Sequence, residues 1–408
     1  ANDDRFARWD VSVRGATPDL DFRNEPNTFG YNVEIDPLSS GMSVKRVAMG
    51  RFAHEAAVCG LPQPGKPLAF YMGCDSQNEY IYKFVSTAVW SASDVGGGLT
   101  AGDKYLNEGK LYVAKFNDTG TGEWLELNIA NPLIAGYAPY TFAHQADVLV
   151  NARLAADAVG ATKMDRPEWN GVHPRTGEVY FTLTNNSNRS AATADAANPR
   201  AYTDMKGSKE QKGNVNGHIV RLADASPAGS SFKWDIYVFG AEAGADKSAV
   251  NLSNLTDDND MSAPDGLVFS PATGVCWIQT DDGAFTDKTN CMMLAAIPGK
   301  VGDGGARIVK HGDKQVTTYV GKTPTPTTLA RFLVGPKGCE ITGWCETPDG
   351  RAVFVNVQHP GEGTAMSDVG NPAKYQSQWP ANAGYGAGQR PRSATIVITK
   401  NDGGVIGS

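Results

Sequence analysis

The stretch EWNGVHPRTGEVYFTLTNN (residues 168–186) reads as a β-hairpin. Two short runs rich in aromatic and β-branched residues flank PRTG, where Pro presets φ and Gly supplies the positive φ that closes the turn. The plan recurs in EAAVCGLPQPGKPLAFYMGCD (55–75), DGLVFSPATGVCWIQTDDG (265–283) and EITGWCETPDGRAVFVNVQHPG (340–361). Each copy begins with an acidic residue: Glu55, Glu168, Asp265 or Glu340. A further strand follows each hairpin, as in YIYKFV, HIVRLA and ATIVIT, and in the first three units a fourth strand lies beyond it. Four short antiparallel strands per unit, repeated, mark propeller blades. The fold class is therefore all-β, a β-propeller.

A bare blade of the best-known repeat takes ~40–45 residues. The acidic positions are spaced much more widely, so the blades carry long insertions, placed at 86–108, 187–215 and 361–392. The last contains SQWPANAGYGAGQRPR, a Gly/Pro-rich stretch that reads as a lid-like loop. An apolar face at helical spacing predicts a helix over 146–161. NTFGYNVEIDP and SVKRVAMG resemble the last two strands of a blade without its first hairpin. About four and a half blades are visible, forming a single domain over 1–408. The expectation is that an N-terminal portion is missing or is supplied by a second polypeptide, since an open ring exposes sheet edges.

The composition agrees. The chain has 46 Gly and 23 Pro in 408 residues, 41% apolar and 20% charged residues, and a net charge of -7 without a Lys/Arg run. That balance argues against nucleic acid or anionic membrane as the main partner. No apolar stretch approaches the ~20 residues of a transmembrane helix. The six cysteines fall as near neighbours, Cys59 and Cys74, Cys276 and Cys291, Cys339 and Cys345, a pattern compatible with short disulfides in an oxidising compartment.

In a propeller the loops leading into the innermost strands gather at one end of the axis. Equivalent acids from successive blades therefore converge there although they are far apart in sequence. Packed carboxylates repel unless cations neutralise them. Oxygen-rich ligation with few His points to hard cations such as Ca²⁺ or Fe³⁺. Asp75, Asp281 and Asp282, at the far ends of the hairpins, can add oxygens.

The turn KMDRPEWNG (163–171) adds a guanidinium. A lone charge cluster of this kind is usually a solvated loop with a local ion pair. Here Pro167 stiffens the turn and fixes Arg166 beside Glu168, a planar fork suited to two phosphate oxygens. Asp165 is expected to orient the fork, and Lys83 in EYIYKF is a second phosphate-binding candidate.

Taken together, FGYNVEIDP, KRVAMGRFAHEAA, YMGCDSQNEYIYKFVS, GKLYVAKF, DRPEWNGVHPRTGEVYFTLTNN, PDGLVFSP, EITGWCETPDGRAVFVNVQHPG and RPRSATIVITK resemble, in order, the motifs of PhoX-type bacterial alkaline phosphatases. The resemblance implies a six-bladed propeller, an Fe³⁺–Ca²⁺ cluster on its axis, hydrolysis of small phosphate monoesters, and a periplasmic or secreted location. It implies cluster ligation by Glu55 and Glu168, with Asp75 and Glu340 as further calcium or iron ligands, and phosphate contact by Arg166; Asp265 joins the ligands mostly through the hairpin repeat. MGCD places Cys74 where the family often has an Asp, and the family's upstream cysteine-containing iron-ligand segment has no counterpart, in keeping with the missing-blade expectation. Alternatives are another metal-dependent propeller hydrolase, a lactonase or calcium phytase, or a calcium-stiffened propeller that only binds.

Overall fold

The computed structural model describes residues 11–17, 20–381 and 389–408, and these form four antiparallel blades in chain order. The first blade runs outward through His54–Cys59, Pro67–Cys74, Ile81–Val89 and Gly109–Phe116, with Thr121–Glu126 as a fifth strand. The second comprises Pro167–Val172, Val179–Leu183, His218–Asp224 and Ser231–Phe239, and the third Pro264–Phe269, Cys276–Thr280, Met292–Ala296 and Leu329–Val334. The fourth has three strands, Glu340–Glu346, Ala352–Gln358 and Ala394–Thr399. Residues Ser231, Phe232 and Lys233 pair with Glu123, Gly122 and Thr121, so the first two blades join at their outer edges. Near the start of the chain, Val33–Glu34 pairs with Val44–Lys45 as a short separate ladder.

Each hairpin of the sequence is thus the inner half of a blade. The innermost strand of the second blade packs against those of the first and third, and the third against the fourth. Strand alternation builds the core between these layers. Phe181 faces the first blade with Tyr71, Trp124 and Trp234, while its neighbour Tyr180 faces the third with Phe269 and Ile278. Trp277, Ile341 and Val355 fill the next interface. Full burial of one such side chain contributes about 1.5–3 kcal/mol, so the interfaces between blades carry much of the stability.

Two hydrogen bonds and a glycine fix how closely the inner strands approach. Asn170 donates to the Tyr71 carbonyl at 3.0 Å, and the Thr182 hydroxyl donates to the Asp265 carbonyl at 2.6 Å. A Cβ on Gly73 would lie 2.8 Å from the Glu168 carbonyl oxygen, so only glycine permits this contact.

Several expectations are corrected. The helix over 146–161 is two short helices, Gln145–Val150 and Ala152–Ala158, separated at Asn151, whose φ of -111° and ψ of 42° interrupt the spiral. Helix Gly98–Leu106 lies in the first insertion, and the segment between the third and fourth strands of the third blade carries an unanticipated hairpin, Ala306–His311 with Lys314–Tyr319. The Gly/Pro-rich stretch includes residues 382–388, which fall outside the described residues.

All six cysteines are free thiols. Register explains why sequence neighbours do not pair: Cys59 faces Phe70 while Cys74 faces His54, at opposite ends of one hairpin. Likewise Cys276 faces Ala296, whereas Cys291 precedes the start of that partner strand. Cys339 and Cys345 stand at the two ends of one extended run, about 20 Å apart at ~3.3 Å per residue. A disulfide needs Cα atoms within roughly 7 Å. Cysteine spacing therefore says nothing here about an oxidising compartment.

Candidate metal centre

Three of the four hairpins present their acids by a shared backbone device. Glu55, Glu168 and Asp265 each lie in a break of the strand register, between His54 and Ala57, Pro167 and Asn170, and Pro264 and Leu267. A bulge re-aims a side chain that regular alternation would send to one face of the blade. In the fourth blade Glu340 opens the inner strand opposite Gln358, and the register shift comes later, between Thr342 and Trp344.

A second residue stands beside each acid, directly after the second strand: Asp75, Thr184, Asp281 and His359. In three blades its N–H donates to the carbonyl just before the inner strand. Asp75 bonds Ala53 at 2.8 Å, Thr184 bonds Arg166 at 3.1 Å and Asp281 bonds Ala263 at 3.2 Å. Glu55, Asp75 and Glu168 bring carboxylate oxygens within 4.8 Å of one another, as do Asp281, Glu340 and His359 with their ligand atoms. Asp265 is coupled electrostatically to both sets, through Glu168 and Glu55 on one side and Glu340 and Asp281 on the other.

The electrostatics are those of an anionic funnel. Burial pushes the Glu168 carboxyl well above its usual range, and the neighbouring charges of Asp265 and Asp75 push it further. Asp265 is raised by burial and then by Glu340, Asp281 and Glu55. Glu55 is raised by burial and Asp75, and Glu340 by burial and Asp281. Glu168 Oε1 is buried without a hydrogen bond, although Arg166 Nη2 lies 2.9 Å away.

Arg166 sits at φ 59°, in the left-handed region, immediately before Pro167. Its Nε donates to Asp75 Oδ1 at 2.7 Å, bridging the first and second blades, and 31% of its side chain stays exposed. The guanidinium charge is opposed by burial and sustained by Glu168 and Asp75.

The structure brings Glu55, Asp75, Glu168, Arg166, Asp265 and Glu340 to one end of the blades. It corrects three other assignments. Lys83 is fully buried within the first blade, where Nζ bonds Asp224 at 2.8 Å and lies 4.8 Å from the Trp124 ring centre. Its pairing side, with Tyr71 and Asp224, faces the hairpin turns, so it is no phosphate contact. Asp165 does not touch the Arg166 fork. It is wholly buried and accepts from Arg189 Nε at 2.8 Å, Asn186 at 2.8 Å and Asn214 at 2.9 Å. Asp282 caps a turn through the Ala284 N–H at 2.6 Å. Cys74 is in the core, and burial holds its thiol protonated, with a pKa raised to about 12.

Sequence reading missed His359 and Thr184. His359 Nε2 lies 3.5 Å from Glu340 Oε2 and its backbone is at φ 36°. Thr184 has a buried hydroxyl without a hydrogen-bond partner. Both occupy the position that Asp75 and Asp281 fill in their own hairpins, and aligning the strand ends would have found them.

The donors fit the implied cations. Carboxylate oxygens suit Ca²⁺, and a set of two carboxylates and an imidazole suits iron. Glu168 Oε1, buried without a hydrogen bond and with only the Arg166 guanidinium beside it, is a polar atom that a cation would satisfy further.

The sequence model of the family described as alkaline phosphatase PhoX matches residues 2–361. A solved structure, Pseudomonas fluorescens PhoX in complex with vanadate, a transition state analogue, is 35% identical with a TM-score of 0.72. The alignment covers 96% of this chain and 61% of that one, so the chain spans less than two thirds of that relative's length. An iodide structure of a Trichoderma reesei family AA12 carbohydrate-active enzyme matches at 10% identity over 80% of this chain and 84% of that one, and its TM-score of 0.23 carries no argument. No curated protein matches.

Proposed function

Because the chain belongs to the PhoX alkaline phosphatase family, we propose that it hydrolyses phosphate monoesters at the axial acidic cluster. The observation that carries this reading is a partly exposed guanidinium, Arg166, ion-paired with both Asp75 and Glu168 inside the acidic cluster. Glu55, Asp75, Glu168 and Asp265 would hold Ca²⁺, and Asp281, Glu340 and His359 would hold Fe³⁺. Such ions, when bound, supply Lewis-acid activation of a phosphoryl oxygen and of water.

The chain's own residues do the rest. Asp75 fixes the azimuth of the Arg166 plane, and the exposed part of that plane meets two non-bridging oxygens of the phosphoryl group. As the ester bond lengthens, charge spreads over the equatorial oxygens, and a preorganised guanidinium stabilises that distribution more than the ground state. Glu168 and Asp75 hold Arg166 in place between turnovers.

The test is hydrolysis of phenyl phosphate before and after chelation, with elemental analysis of the protein. Activity should vanish with the metals and return with Fe³⁺ and Ca²⁺. Glu168→Gln should lower both metal content and rate. A lactonase would ignore this ester. An unchanged rate in well-folded Glu168→Gln protein, or full activity without cations, would end the reading.

A further inference from the structure

Beside the cluster lies a second feature that metal and phosphate chemistry leave unused. A cavity of about 340 Å³ opens next to His359, bounded by Met366, Val369, Tyr375, Arg390 and Pro391 in the insertion between the second and third strands of the fourth blade. His359 belongs to both places. Its Nε2 faces Glu340 Oε2 at 3.5 Å, and its Nδ1 faces Glu362 Oε2, on the cavity wall, at 3.2 Å. A group leaving a phosphoryl centre at the cluster thus has this cavity as its neighbour.

We propose that the cavity receives the alcohol part of the ester and selects for a neutral, ring-bearing leaving group. The inference rests on the hydrolase reading above. In that reaction a water oxygen forms the new P–O bond, the P–O bond to the alcohol breaks, and the alcohol departs with a proton. What the cavity recognises is therefore the alcohol alone.

The walls support this choice. Their exposed surface is mainly apolar. The Tyr375 hydroxyl donates to the Val369 carbonyl at 2.7 Å, which leaves its ring as the surface offered to a ligand. Thr364 is also engaged, donating to the Gly361 carbonyl at 2.7 Å and accepting the Gln376 N–H at 3.0 Å. Met366, 88% exposed, stands at the mouth, where a flexible thioether adapts to a ring edge. The wall carries one guanidinium, Arg390, and one carboxylate, Glu362, so their formal charges cancel and the wall does not favour a charged alcohol. Size is sufficient, since an apolar cavity of roughly 150 Å³ already holds benzene.

Benzyl phosphate and glycerol phosphate both release alkoxides, so their intrinsic reactivity is comparable and their ratio reads recognition of the alcohol. With the metal-loaded chain, kcat/KM should favour benzyl phosphate by about tenfold or more, the discrimination an apolar pocket gives. Met366→Ser and Tyr375→Ser, singly and together, should move the ratio toward parity. Glycerol phosphate turnover and inhibition by inorganic phosphate should stay as in the parent, which also shows that the variants fold. Equal kcat/KM for the two esters in the parent, or an unaltered ratio in the double variant, overturns the leaving-group pocket and leaves the hydrolase reading standing. Cleavage of neither ester by metal-loaded protein removes the hydrolase reading, and this inference with it.

Discussion

The second and third blades enter the axial site through the same turn with different side chains. Arg166-Pro167-Glu168 and Ala263-Pro264-Asp265 each place a non-glycine residue in the left-handed region, at φ 59° and 48°, directly before a proline. Each then sets its acid in a bulge, and each closes through the carbonyl of the left-handed residue, to Thr184 at 3.1 Å and to Asp281 at 3.2 Å. The first blade makes the same closing bond from Asp75 to Ala53 at 2.8 Å without a proline or a positive φ. Closure alone therefore does not require the strained residue. A left-handed non-glycine costs roughly 1–2 kcal/mol, and the first blade sets Glu55 in a bulge without one, so the conformation goes with the proline that follows it in the second and third blades. The difference between the turns lies in charge: the second blade adds a guanidinium, and the third adds the Asp281 carboxylate.

Making the second turn like the third is the sharpest way to break this comparison. Arg166→Ala should lower kcat/KM for a phosphate monoester by about 10³-fold, at the lower end for an arginine that stabilises phosphoryl-transfer charge. Ala263 shows that alanine tolerates this backbone, so the fold should persist. Removing the cation leaves Asp75 and Glu168 uncompensated, so thermal unfolding is compared with Ca²⁺ present. Near-parental turnover in the variant would mean that the two turns differ in side chain and not in role.

The residue before each turn extends the contrast. Asp165 and Ser262 are both buried, but Asp165 is held by the Arg189 ion pair at 2.8 Å and Ser262 by a neutral bond to Asn216 at 2.9 Å. Asp165→Asn removes the nearer carboxylate from the buried Arg189, leaving Asp195 at 3.7 Å, and should cost about 3 kcal/mol. Ser262→Ala should cost about 1 kcal/mol. Urea unfolding of both variants measures the gap, and equal losses would mean that the second turn does not depend on its ion pair.

Local chemistry made the blades legible. Hairpins with Pro/Gly turns and alternating strands need only near neighbours, and the acid at the head of each hairpin keeps its place. Asp75 could be read because YMGCD ends its strand visibly. The same slot holds His359 after NVQ and Thr184 after FTL, but an imidazole and a hydroxyl among acids did not stand out until the strand ends were known. Lys83 and Asp165 were misread for one physical reason. Each is neutralised by a distant residue, Asp224 at a separation of 141 and Arg189 at 24, and no local pattern announces such a partner. The cysteines failed likewise: nearness in sequence set the expected pairs, and strand register puts their thiols at opposite ends. The bulges that aim the acids are a property of pairing between strands, so a single strand's sequence does not contain them.

The smallest effect bears most directly on why the strain persists. Glycine at position 263 removes the left-handed penalty of about 1–2 kcal/mol and adds roughly 0.5–1 kcal/mol of chain entropy to the unfolded state. Ala263→Gly should therefore stabilise the protein slightly, by about 1 kcal/mol or less, with turnover unchanged because a methyl group carries no charge. If the conformation exists to aim the acid, a residue that adopts it freely keeps Asp265 where it is only as long as Pro264 and the Asp281 bond hold the turn. A stability gain with intact metal affinity would assign the aiming to the proline and the closing bond. A stability gain accompanied by weaker metal binding would show that the alanine Cβ itself restricts the turn, and that the third blade accepts strain in exchange for a fixed carboxylate.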